Sequence, residues 1–301
     1  MERYNPVKLS FPHGSNIEHK LKTLSDRKRI DLLKKIKERY IEWKNKSMEI
    51  TGTDRKNIEE KSRLFEEYKD FIDRKEYAEA FDPRGVLHST AIEEFLVYLF
   101  VDLVKHMHSG LGQIYIGRAE VPKSIIFSPS SFRDMLKTHA LTFIKTSVDF
   151  VIGCEMEVSY KFYEIIKGLI AEKTTTEKII APAVCVECKT YVDKPMLDRC
   201  NYEAEAIKRV FPSCLYIVVS EYIKLEERER PSFYINQVYT LRKQKTVDRA
   251  VRLDVSSGWK KNPIDHELVW DLFTNVKRHL EESWWEPGAA LTKGKLVTYR
   301  H

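Results

Sequence analysis

APAVCVECKTYVDK, residues 181–194, reads as a buried β-strand that carries two charges in its driest part. Val184, Val186, Thr190, Tyr191 and Val192 favour a strand, and side chains along a strand alternate faces with a period of two. Glu187 and Lys189 therefore point the same way. An isolated buried charge is costly unless it is paired or holds a metal, so the placement demands a compensating purpose. Asp149 lies 38 positions upstream and interrupts a second apolar strand, between Val148 and Phe150, in a run that alternates from Ser147 to about Val158. If the two strands are neighbours, Asp149, Glu187 and Lys189 converge on an oxygen-lined site suited to Mg²⁺, which keeps waters and takes one or two carboxylates. Such a centre supports metal-assisted hydrolysis of a phosphodiester. A lysine has an ordinary pKa of about 10.4, which fits Lys189 for orienting water and offsetting negative charge better than for acting as a base. The bland alternative is a Glu187–Lys189 salt bridge on an exposed strand edge.

Downstream, Asp193 is a good N-cap with Pro195 in the first turn of a helix to about Val210. CLYIVVSEYIKL (214–225) is another strand of the buried type, FYINQVYTLR (233–242) a further strand, and ELVWDLFTNVKRHLEESWW (267–285) a late amphipathic helix. Upstream, AIEEFLVYLFVDLVKHMH (91–108) is apolar nearly all round and reads as a central buried helix. It follows the turn-rich FDPRGVLH (81–88), and Ser89 or Thr90 can cap it. Glu93 and Glu94 near its start either complement the helix dipole or face a site. Strands are expected at 113–118 and 123–128 and a short helix near 131–138, whereas YEIIKGLIAEKTTTEK (163–178) shows no readable period.

From Ile17 to about Phe81 the chain is dense in charge, with a break at TGTD (51–54). Leu33, Ile36, Tyr40 and Trp43, then Leu64, Tyr68, Phe71 and Ile72, recur at helical spacing and predict two amphipathic helices. Their polar faces are a solvated surface, a DNA-embracing arm or a subunit contact. The full chain of 301 residues, 43% hydrophobic, can bury a complete core. Its 51 Lys and Arg against 45 acidic residues permit a polyanionic partner without requiring one. The start MERYNPVKLSF does not read as a signal peptide, and FLVYLFV (95–101) is far short of the roughly 20 residues that span a bilayer. A cytoplasmic protein with no membrane partner and reduced thiols is therefore expected, the five cysteines having no framework spacing. Cys185 and Cys188 spell C-x-x-C and suggest zinc but fall on opposite faces of a strand with no second C-x-x-C, and His106 and His108 before Gly110, an H-x-H pair that could be taken for metal ligands, read as ordinary helix-ending residues.

The order of an EEF helix, VDFVIG, VECKTYVDK, a helix and CLYIVVSEY resembles the PD-(D/E)xK nuclease superfamily, whose core runs αβββαβ. STAIEEFLVYLF (89–100), VDFVIG (148–153), VECKTYVDKPML (186–197) and AEAIKRVFPSCLYIVVSE (204–221) look like type II restriction endonucleases of the BbvCI kind. The likeness spans roughly 87–225, and Val148 stands where the motif's name has Pro. It implies an α/β (mixed α+β) fold with a helical N-terminal region over 1–86, a nuclease core over 87–235 and a C-terminal extension over 236–301. It also implies Asp149 and Glu187 as metal ligands, the main-chain carbonyl of Cys188 as a further one, Lys189 as the catalytic lysine, and Glu94, with Glu93 second, as a supporting acid. The implied cofactor is Mg²⁺, with Mn²⁺ able to substitute, and the implied substrate is double-stranded DNA cut to 5′-phosphate and 3′-hydroxyl ends. A homodimer, or a heterodimer with a related subunit, would cut both strands. Alternatives are a repair, resolvase or transposition nuclease, or a non-catalytic DNA-binding or assembly protein. RKQKTVDRAVR (242–252) and WKKN (259–262) offer Arg242, Lys243, Lys260 and Lys261 as candidate DNA contacts.

Overall fold

A computed structural model describes residues 6–81, 86–107, 112–135, 141–166, 169–226, 233–253 and 257–282. The chain begins with a short strand, β1 (Val7–Leu9), and four helices: α1 (Pro12–Thr23), α2 (Arg27–Glu49), α3 (Arg55–Ile72) and α4 (Lys75–Phe81). The two helices expected from the periodicity are α2 and α3, and α1 and α4 flank them. Asp26 and Asp54 open α2 and α3 by accepting first-turn amides, so TGTD is the junction between them. The apolar stripes meet across that junction. Trp43 stacks on Tyr68 with ring centroids 4.6 Å apart, and Phe65 stacks on Phe95 at 4.3 Å.

That last contact leads to α5 (Val86–Met107), in which every residue from Thr90 to Val104 is buried. A helix with no polar face needs cover on all sides, and α5 lies between α1 and α3 on one side and the sheet on the other. It starts earlier than the expected cap. Ser89 and Thr90 are inside it, and Thr90 Oγ1 donates to the Val86 carbonyl at 2.8 Å. Residues 82–85 of the FDPRGVLH turn, and His108 with Gly110, lie outside the described residues.

The rest of the chain supplies β2 (Gln113–Phe127), α6 (Phe132–Met135), β3 (Leu141–Ile166), β4 (Leu169–Val192), α7 (Lys194–Val210), β5 (Leu215–Ile223), β6 (Gln237–Thr240), α8 (Arg249–Leu253) and α9 (His266–Glu281). Among the described residues the strands form one mixed sheet in the order β1-β2-β3-β4-β5-β6, with β2–β3–β4 antiparallel and the other pairs parallel. The two strands expected over 113–128 are one, β2, whose register shifts between Gly117 and Ala119 and again between Pro122 and Ser124. The unreadable 163–178 stretch is the distal end of an antiparallel hairpin in which β3 and β4 pair from Ile166↔Leu169 back to Phe150↔Val186. The hairpin accounts for the 38-position separation, because the chain runs out along β3 and returns beside itself. Asp193 Oδ1 accepts the Met196 amide at 3.0 Å and opens α7 as expected, and β6 is shorter than the 233–242 expectation.

Alternation sorts the strands onto two apolar faces, except at the register shift where Asp149 and Phe150 together oppose Arg118 and the faces of β3 exchange. Phe150, Val184, Val186, Cys188 and Val219 join α3, α5 and α9, whereas Val148, Cys185 and Val218 join Leu197, Cys200, Ala204 and Ile207 of α7. The first cluster runs from Val7 to Val276, so the N-terminal helices and α9 share a core with the central sheet. Among the described residues no helix is long and apolar enough to cross a membrane.

Gly117 lies at the first of the β2 register shifts. Its φ is +124°, and a Cβ there would lie 2.7 Å from the Ser10 carbonyl oxygen. Gly117→Ala should therefore cost about 1–3 kcal/mol, read as a lowered urea midpoint, and an unchanged midpoint would show that the strand does not need a glycine here.

A candidate active site where two strands part

The β3–β4 ladder ends at Phe150↔Val186. From there β4 continues beside β5, with Glu187↔Val218 and Lys189↔Ser220, while β3 continues beside β2, with Val148↔Ala119. Asp149 sits at the fork. Its Oδ2 accepts the Cys188 amide at 3.0 Å, supplying an acceptor where the ladder has stopped, and accepts Lys189 Nζ at 2.7 Å. Lys189 Nζ also donates to Glu187 Oε2 at 2.7 Å. The structure thus brings Asp149, Glu187 and Lys189 together, with side chains 20%, 13% and 28% exposed. That is open enough to be reached from solvent and closed enough for charges to act strongly on one another.

A fourth charged group enters from α5, and it is Glu93. Successive helical residues are separated by 100°, so Glu93 and Glu94 cannot both face the sheet. Glu93 accepts from Arg118 Nε at 3.0 Å and Nη2 at 2.7 Å, and the same Nη2 lies 3.7 Å from Asp149 Oδ1. Glu94 turns into the helical layer, where its carboxylate accepts from Tyr40 Oη at 2.7 Å, from Tyr98 Oη, and from the Gly14 amide at 3.0 Å. The first choice of supporting acid is therefore corrected: Glu94 ties α1, α2 and α5 together, and the acid beside the cluster is Glu93. Sequence reasoning passed over Arg118. The available signal was the Gly-Arg pair inside YIGRAEV (115–121), since glycine within a strand marks a bulge that re-aims its neighbour.

The carboxylates are held against their ordinary behaviour. Burial first, and then the Asp149 charge, push Glu187 up to about 7 despite the opposing pull of Lys189. Burial and the Asp149 charge likewise push Glu93 up to about 8 against the pull of Arg118. Burial alone would lower Lys189, but Glu187 and Asp149 together outweigh it and hold the side chain as an ammonium above the ordinary lysine range. Acids that favour their protonated forms are acids that a bound cation would relieve. The two carboxylates that already flank one ammonium are all-oxygen donors of the kind a hard divalent ion takes. Among the described residues no three His, Cys, Asp or Glu side chains form a ready-made metal cage. A site of one or two carboxylates completed by waters and substrate phosphate suits Mg²⁺ better than a cage does.

Cys185 and Cys188 belong to the two opposite apolar faces, and burial pushes both thiols well above their ordinary range, which disfavours the thiolate that zinc requires. The basic patch is largely corrected. Arg242 is 1% exposed; its Nε donates to Glu221 Oε2 at 3.1 Å and its Nη1 to the Asn262 carbonyl at 2.6 Å, so it cannot reach DNA. Lys261 is held by Asp70 at 2.6 Å and Asp73 at 2.7 Å. Lys243 reaches the surface but pairs with Asp265, and Lys260 is exposed. Charges that look like surface in sequence are gathered inward here by acids of α3 and β5.

The architecture matches a solved structure of the BbvCI A2B2 tetramer with a TM-score of 0.61 over 90% of this chain and 96% of that one, at 19% identity. The fold is that of a restriction endonuclease. More narrowly, the chain belongs to the Bpu10I restriction endonuclease family, whose sequence model matches residues 85–296, from the start of α5 onward. No curated protein matches it.

The raised Glu187 has a stability consequence. An acid whose native pKa of about 7 exceeds its ordinary 4.5 binds its proton more tightly when folded, so the metal-free protein loses stability as pH rises through that interval. Glu187→Gln, a neutral mimic, should be more stable than the wild type at pH 8 in EDTA by on the order of 1–3 kcal/mol, and the difference should close as the pH falls below about 4.5. A variant less stable at pH 8 would contradict the assignment of strain to this carboxylate.

Proposed function

We propose that the protein is a type II restriction endonuclease subunit that hydrolyses phosphodiester bonds of double-stranded DNA with Mg²⁺, at a PD-(D/E)xK centre made of Asp149, Glu187 and Lys189. The observation that carries the reading is Lys189 Nζ set 2.7 Å from both an Asp149 and a Glu187 oxygen at the point where two strands part. Asp149 and Glu187 would hold the ion, with the Cys188 main-chain carbonyl as a further ligand, and Mn²⁺ would substitute. The ion bound there supplies polarisation of a phosphoryl oxygen and a more acidic water. Lys189, placed beside both carboxylates, would orient the attacking water and offset charge on the phosphoryl oxygens. The water oxygen bonds to phosphorus as the P–O3′ bond breaks. Its proton passes to solvent, and the departing oxygen takes one up, leaving 5′-phosphate and 3′-hydroxyl ends. Glu93 supports the cluster from α5.

One such cluster per chain cuts one strand, so a double-strand break needs two subunits. A symmetric pair of this chain would impose a palindromic site. The two kinds of chain in the BbvCI A2B2 assembly favour a related, non-identical partner as the alternative. The free thiols of all five cysteines fit the cytoplasm as the place of action.

Asp149→Ala, Glu187→Ala and Lys189→Ala should each lower plasmid cleavage by roughly a hundredfold or more, with a wild-type circular dichroism spectrum and retained DNA binding. Ca²⁺ should support binding with little turnover, because it prefers a looser, higher coordination than Mg²⁺. A folded Lys189→Ala protein that cuts at near the wild-type rate would sink the assignment.

A further inference from the structure

Arg118 has no part in the chemistry described so far, yet the fold invests in placing it. It occupies the register shift in β2 between Gly117 and Ala119, beside the one β2 glycine at positive φ. Its guanidinium grips both oxygens of Glu93, a carboxylate only 1% exposed, through Nε and Nη2 at 3.0 and 2.7 Å. A two-point grip on an immobile acid fixes the plane of the guanidinium as well as its position. Nη2 comes within 3.7 Å of Asp149 Oδ1, while Lys189 holds Asp149 Oδ2. Asp149 therefore lies between two cations, one toward each oxygen.

Two further observations separate Arg118 from a plain structural ion pair. First, it is the most open charged group of the cluster, with its side chain 43% exposed against 28% for Lys189 and 20% for Asp149. A guanidinium has five N–H donors, and Glu93 engages two of them, so a side chain this exposed has donors left for a phosphate beside Asp149. Second, it brings a second cation to Asp149, on the Oδ1 side, while Lys189 holds Oδ2.

We propose that Arg118 is a further catalytic residue: its open guanidinium edge donates to a non-bridging oxygen of the scissile phosphodiester, with Glu93 as the positioning residue that holds it in that pose. The proposal rests on the reading of Asp149, Glu187 and Lys189 as the nuclease centre. As the water oxygen bonds to phosphorus and the P–O3′ bond breaks, charge builds on the non-bridging oxygens, and a donor already fixed in place stabilises that charge without reorganising.

The test uses the full chain with the partner needed for cleavage, on duplexes whose cut positions have been mapped by sequencing fragment ends. Binding in Ca²⁺ is measured on an ordinary duplex and on one whose scissile phosphate is a neutral methylphosphonate. Arg118→Gln should weaken binding to the ordinary duplex by about tenfold and reduce the salt slope by about one. It should add little further loss on the neutral duplex, because the contact is already gone. Single-turnover cleavage should fall about a hundredfold. Arg118→Lys keeps the charge and the link to Glu93 but not the planar fork, and should recover binding while remaining about tenfold slow in cleavage. That variant also serves if Arg118→Gln does not fold. Additive losses from the two changes, or wild-type cleavage by either variant, would overturn the role of Arg118. A Lys189→Ala protein that still cuts would instead bring down the centre on which it rests.

Discussion

β3 and β4 stop pairing after Phe150↔Val186, and the Asp149 carboxylate takes the Cys188 amide at the fork. Polar backbone exposed where strands separate must be satisfied by some partner, and using an acid for the purpose fixes that acid to the backbone of the strand that bears Glu187 and Lys189. The site is therefore as rigid as the sheet. Asp149 cannot swing away from Glu187 without freeing a backbone donor, and Lys189, on the same face of β4 as Glu187, closes the gap between the two acids. The fork turns a charge cluster that ought to repel into one that holds together around a cation.

Keeping that fork in place needs support from both faces. α7 covers one side through Leu197, Cys200, Ala204 and Ile207, and α5 fills the other with an unbroken run of buried residues. α5 also divides labour between adjacent acids, with Glu93 toward Arg118 and Glu94 toward Tyr40, Tyr98 and Gly14. A second buried charge network pins α3 to the end of β5. Lys69 lies 2.8 Å from Glu221 and 3.1 Å from Asp73, and Arg242 completes it from beyond β6. Such networks gain little net stability over apolar packing but are damaging to break. Their use here locks the helical layer, and with it Glu93, in one register against the sheet.

The convergence of Asp149, Glu187 and Lys189 was legible because its signal violates a rule: charged residues in apolar strands leave few explanations. Asp149, Glu187, Lys189, the α7 cap at Asp193 and the buried character of α5 all followed from local pattern. What stayed hidden depends on long-range geometry. The 163–178 stretch is a hairpin end whose partner strand, not its own period, makes it β-structure. The choice between Glu93 and Glu94 turned on the rotation of α5 about its axis, which is fixed by its packing against α1, α3 and the sheet. Arg242 looked like surface because nothing local reveals that Glu221, 21 positions away, pairs with it inside the core. Arg118 was marked only by the glycine before it, because its partner Glu93 is on another element and its aim depends on a register shift.

The central claim is that the fork between β3 and β4 holds a divalent cation between Asp149 and Glu187, and the most direct test is anomalous diffraction from crystals of the protein bound to its DNA in Mn²⁺. The account predicts an anomalous peak at about 2.0–2.2 Å from carboxylate oxygens of both Asp149 and Glu187, with Lys189 displaced from between them toward the scissile phosphate. A Mn²⁺ peak elsewhere in an otherwise ordered complex, with Lys189 still bridging the two carboxylates, would contradict it.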